Sequence, residues 1–121
     1  MSMLNDQEVS RLLDVANAGV NRGEVARARR VYAGILADRP GHVPTLISLA
    51  MSHIAVGEYN DADAILRDKV LADNPDDAGA LAYLGLSAAL ADRKDEAREI
   101  LERIPAGTTA GEMAARIIET L

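Results

Sequence analysis

The side chains able to do chemistry are few, and their spacing does not suit it. With no cysteine in the chain, a thiolate nucleophile, a disulfide and a thiolate zinc site are all ruled out. Of the two histidines, His42 follows a turn proline and glycine, and His53 sits in an otherwise apolar stretch. They are not at ligand spacing, and a lone core-facing histidine is more often hydrogen-bonded than coordinating. Asp61-Ala62-Asp63 and Asp76-Asp77 lack the glycine and terminal glutamate of a calcium loop. They read as acids at helix N-termini, where the dipole favours negative charge. The serines and threonines have no glycine elbow or obvious base, and there is no phosphate-cradling glycine loop. The expectation is a chain that is not an enzyme, with no catalytic residue, no cofactor and no metal.

Composition narrows the remaining possibilities. The 121 residues make one domain, and 49% of them are apolar, enough to bury a core and to argue against disorder. With three tyrosines and no tryptophan or phenylalanine, that core must be aliphatic. Nineteen acids against thirteen bases give a net charge of −6, the wrong balance for nucleic acid or an anionic membrane. MSMLNDQEVSRLLDV lacks the basic and apolar regions of a signal peptide, and no apolar run reaches membrane-spanning length. Together with the missing cysteines, this suits a cytoplasmic protein.

The elements that would position any site follow from an internal repeat. Gly23 and Ala28, Gly57 and Ala62, Asp92 and Ala97 recur at steps of 34 and then 35 residues. In the same register stand Leu12, Leu46 and Leu81; Val15, Leu49 and Leu84; Ala16, Ala50 and Gly85; and Tyr32, Leu66 and Leu101. Each unit reads as two helices. The first helices are expected at 10–20, 44–56 and 78–91, the second at 25–37, 61–72 and 95–104. Gly23 and Gly57 suit a left-handed residue after a helix, a conformation Asp92 adopts less comfortably. Pro40 and Pro75 close two units, the second with one extra residue. After Pro105 and Gly107, Thr109-x-x-Glu112 has capping-box spacing, and Met113, Ala114, Ile117, Ile118 and Leu121 form an apolar stripe. That makes seven helices, the last closing the stack.

These columns resemble the tetratricopeptide repeat, whose period is about 34 residues. The likeness covers roughly residues 9 to 105, with departures at the missing tryptophan, the residue inserted before Pro75, and Pro105. It implies an all-α, right-handed solenoid forming one domain over 1–121. Its units would span 9–40, 43–75 and 78–105, with a capping helix at 108–121. It also implies a concave groove lined by the first helices. The groove would be formed by Leu13, Asp14, Asn17, Val20 and Asn21; by Ile47, Ser48, Met51 and Ile54; and by Ala82, Tyr83, Leu86 and Leu90. Segments 43–56 and 78–91 contain no Asp, Glu, Lys or Arg, so the lining suits an apolar or helical segment of a partner protein. The plainer reading is that Ile47, Ile54 and Leu86 fill the interior of a short stack.

The carboxylate clamp known in this family keeps one match, Asn17; Leu13, Met51, Gly79 and Tyr83 stand where its other residues are needed. Acidic C-terminal tails are therefore poor ligands. Five arginines between Arg22 and Arg39, and seven acids between Glu58 and Asp77, read as solvated outer faces. Small acidic proteins of such repeats resemble the cytosolic chaperones of bacterial type III secretion. The leading expectation is therefore a binding module for a partner segment. The alternative is a scaffold subunit that self-associates, for instance as a homodimer.

Overall fold

A computed structural model describes residues 3–121. They form seven helices and, among the described residues, no strand. The helices are α1 (Asp6–Asn21), α2 (Val25–Asp38), α3 (Val43–Ala55), α4 (Tyr59–Ile65), α5 (Ala78–Leu90), α6 (Lys94–Leu101) and α7 (Thr109–Glu119); α4 runs on into a π-helical turn, Leu66–Leu71. No helix is long and apolar enough to cross a membrane among the described residues.

Local chemistry sets the helix ends. α1 starts four residues earlier than expected because Asn5 and Glu8 form a capping box. The Glu8 amide donates to Asn5 Oδ1 at 2.8 Å, and the Asn5 amide donates to Glu8 Oε1 at 3.0 Å. Pro44 occupies the first turn of α3, where its missing N–H costs nothing. Asp77 caps α5 by accepting from the Ala80 amide. For α7 the cap is Thr108, not Thr109: its hydroxyl accepts from the Gly111 amide, and Thr109 is already helical.

The three turns inside the helix pairs are copies of one another. Glu24 N–H donates to Gly19 O, Glu58 N–H to His53 O and Arg93 N–H to Ala88 O, at 2.8, 2.9 and 2.8 Å. This is the six-to-one bond of a Schellman motif. The residue before each donor is left-handed: Gly23 at φ 85°, Gly57 at 79° and Asp92 at 64°. Asp92 thus takes the conformation that glycine takes in the other two turns.

α1 packs on α2, α3 on α4, and α5 on α6, and each helix touches only helices within two places of it in chain order. Within the pairs, small residues let the helices approach. Ala28, Ala62 and Ala97 are buried, as are Ala16, Ala50 and Gly85. Facing them are the fully enclosed Tyr32, Leu66 and Leu101. The larger core cluster joins α3 through α7; a smaller one holds Ala16, Val20, Ala28 and Tyr32, with Leu49 of α3 reaching into it.

The π-helical turn accounts for the extra residue of the second unit. In an uninterrupted α-helix, Lys69 would stand 34 residues after the buried Ile35. With one residue looped into the wider turn, Val70 takes that place at 0% exposure and Lys69 remains in solvent.

A candidate partner-binding surface

α1, α3 and α5 carry the expected groove residues, and burial sorts them into rows. Asn17, Met51 and Leu86 hold one position of three successive helices, and all three are half-buried. One turn further on, Asn21, Ala55 and Leu90 are exposed. Leu13 and Ile47, at one position of α1 and α3, are half-buried beside them, as is Tyr83, whose counterparts are the exposed Asp14 and the buried Ser48; Ile47 Cδ1 reaches over the first turn of α5, against Gly79. Apart from the exposed Asp14, these positions carry apolar or uncharged side chains.

Four expected lining residues belong to the interior instead. Val20 (7% exposed) and Ile54 (6%) are core residues, because their row turns toward the paired second helices. Ser48 and Ala82 are likewise buried. Asn17 is engaged: Tyr32 donates its hydroxyl to Asn17 Oδ1 at 2.6 Å. Burial pushes the Tyr32 phenol up from its ordinary range.

At the far end, α7 forms a wall. Its Met113 and Ile117, with Leu86, border a cavity of about 300 Å³. Leu86, Leu90, Ile117 and Leu121 border another of about 360 Å³, which has Lys94 and Arg116 at its edge. α7 thus stands beside the face of α5 that carries Leu86 and Leu90. α5 itself is nearly enclosed, with seven buried residues, which is why it can be free of charge.

The charged stretches do more than face solvent. Arg29 Nη2 donates to Glu58 Oε1 at 2.6 Å, tying α2 to the α3–α4 turn. At the next junction Arg93 Nη2 donates to Asp63 Oδ2 at 2.7 Å. Asp63 occupies the repeat position of Arg29, and Arg93 that of Glu58, so the same bridge recurs with its signs exchanged. The Asp63 and Glu96 carboxylates hold the Arg93 pKa above its ordinary value.

His53 is not isolated, as its sequence setting suggested. Its ring nitrogen, Glu58 and Asp61 present ligand-type atoms within 4.8 Å of one another. The Arg29 guanidinium lies against two of them, 3.1 Å from His53 Nδ1 and 2.6 Å from Glu58. The Arg29 bond to Glu58, with His53 adding a second, holds that carboxyl below the usual range. The positive charge a metal would supply is already provided by the guanidinium, so the cluster reads as a bridge between helix pairs. The sequence signal for it is the 34-residue correspondence of Arg29 with Asp63, which places both where neighbouring units meet.

A second surface lay outside the expected site. Leu12 (38% exposed) and Val15 (66%) share columns with the buried Leu46, Leu81 and Leu84 and with Leu49, which packs on the α1–α2 cluster. α1 has no helix ahead of it among the described residues, so its two members stand open. Beside them Met3, Leu4, Leu12, Val31 and Gly34 border a cavity of about 560 Å³.

No protein-family model, no curated protein and no solved structure compared with the chain matches it.

Proposed function

We propose that the chain is a protein-binding module. In this reading it is a right-handed solenoid of the tetratricopeptide kind whose odd-numbered helices hold an apolar or helical segment of a partner protein. The row Asn17–Met51–Leu86 carries the reading: one position of three successive helices, half-buried and uncharged in each. The three matching Schellman turns and the neighbour-only packing support the solenoid. Apolar surface left in such a row gains roughly 25 cal/mol per Å² when a partner covers it, and the flexible thioether of Met51 adapts to varied side chains. A role of this kind, keeping an apolar segment soluble, needs a neutral lining and no catalytic group.

The test is affinity capture from a native lysate of the source cells with the full chain and with Met51→Glu, both checked for unchanged helicity by circular dichroism. The reading expects a protein retained by the parent chain and lost with the variant. Equal retention by both would overturn it. Because the rows are uncharged, the captured complex should also weaken little between low and moderate salt.

A further inference from the structure

The exposed stripe of α1 is arranged symmetrically about one residue. Glu8, Leu12, Val15, Ala18 and Arg22 are all exposed and follow one another at steps of four, three, three and four, close to the seam spacing of paired helices. Glu8 and Arg22 stand seven residues either side of Val15. The seam is therefore acidic at the helix N-terminus, apolar in the middle and basic at the C-terminus.

We infer that α1 is an interface between two copies of this chain, packed antiparallel about a twofold axis at Val15. The axis brings Val15 against its own counterpart. Leu12 of each copy lies over the small, exposed Ala18 of the other, so a large side chain meets a small one. Glu8 of each copy faces Arg22 of the other, giving two opposite-charge pairs at the rim. Both are accessible for this: the Arg22 side chain is 59% exposed and reaches Glu24 only at 3.4 Å, and Glu8 is exposed while its Oε1 accepts from the Asn5 amide. Parallel packing would set Glu8 against Glu8 and Arg22 against Arg22, so charge selects the antiparallel arrangement. The cavity bordered by Leu12, Val31 and Gly34 continues the apolar floor beyond the seam onto α2. This surface is separate from the row of Asn17, Met51 and Leu86, so the inference does not depend on the proposed groove.

Sedimentation equilibrium of the full chain tests it. The parent should sediment with twice the mass of one chain. Val15→Glu should sediment as one chain with unchanged helical circular dichroism, since Val15 is already 66% exposed. Glu8→Arg and Arg22→Glu should each lose most of the dimer, because like charges then face one another at both rims. An equimolar mixture of these two variants should re-form dimers, because each arginine at position 8 meets a glutamate at position 22, and each arginine at position 22 a glutamate at position 8. A monomeric parent, an undiminished dimer in Val15→Glu, or a mixture that stays monomeric would overturn the inference. So would assemblies larger than two copies, which indicate head-to-tail stacking.

Discussion

Leu101 of α6 lies so close over Gly85 of α5 that a Cβ built on the glycine would stand 2.3 Å from Leu101 Cδ2 and 2.5 Å from its Cγ. In the earlier pairs the same position is Ala16 or Ala50, so only in the third pair does this position lack a side-chain carbon. Leu101 is 1% exposed and has no room to retreat. Gly85→Ala is therefore expected to destabilise the fold by about 1–3 kcal/mol through overpacking, despite alanine's better helix propensity. Gly34 provides the control: it is helical and exposed, and a methyl group added there would meet nothing within 4 Å. Gly34→Ala should be neutral or stabilise by up to about 1 kcal/mol. Urea unfolding midpoints of the two variants decide the matter.

The two inter-pair bridges predict a charge-exchange experiment. Arg29→Asp and Glu58→Arg should each lower stability, and the double variant, which copies the Asp63–Arg93 arrangement, should recover part of the loss. The cycle should show a small favourable coupling between the two positions, as expected for a solvent-screened pair. Arg93→Ala should cost more, about 1–3 kcal/mol. The Asp63 side chain is only 13% exposed, and its Oδ1 already lacks a hydrogen-bond partner among the described residues. A double-mutant cycle by thermal or urea unfolding measures both quantities.

How much of this was legible depended on what each residue needs from its neighbours. The paired helices, their turns and the positive φ of Asp92 follow from local chemistry repeated along the chain, and the structure carries them. Whether a column position is buried depends on which helix lies beside it. Leu12 and Val15 match buried or half-buried leucines in the later pairs, yet they are exposed because no helix covers α1 on that side among the described residues. Val20 and Ile54 read as lining because they share helices with Asn17 and Met51, but their row faces inward. The cluster of Arg29, His53 and Glu58 is invisible to spacing within one helix, since its members come from two helix pairs.

Tyr32 gives the fold a defined response to alkali. Its phenol is buried, donates to Asn17, and is held above its ordinary pKa of about 10. The unfolded chain releases that proton first as pH rises. Stability from this group is therefore intact below about pH 10 and is lost as pH climbs through the higher folded-state value. Tyr32→Phe should cost about 0.5–1.5 kcal/mol at neutral pH through the lost hydrogen bond, and its stability should fall less steeply above pH 10 than the parent's. Unfolding free energies measured from neutral to strongly alkaline pH would show whether the two slopes differ.

The π-helical turn makes the last prediction, because it separates the residue count from the core register. Val70 is fully enclosed where Ile35 stands in the first unit and Ile104 in the third, whereas Lys69 is exposed. Deleting Lys69 shortens the segment by one residue and sets Val70 34 positions after Ile35, the spacing an unbroken α-helix requires. The wide turn then has no residue to absorb, and its backbone can return to the regular four-residue hydrogen-bond ladder. The deletion variant is expected to fold with an unfolding midpoint at or above the parent's. Val70→Lys, which puts the charge into the core without changing the count, should cost several kcal/mol or prevent folding. If the deletion unfolds the chain as Val70→Lys does, the turn is required for packing α5 and α6 and is not simply the accommodation of an extra residue.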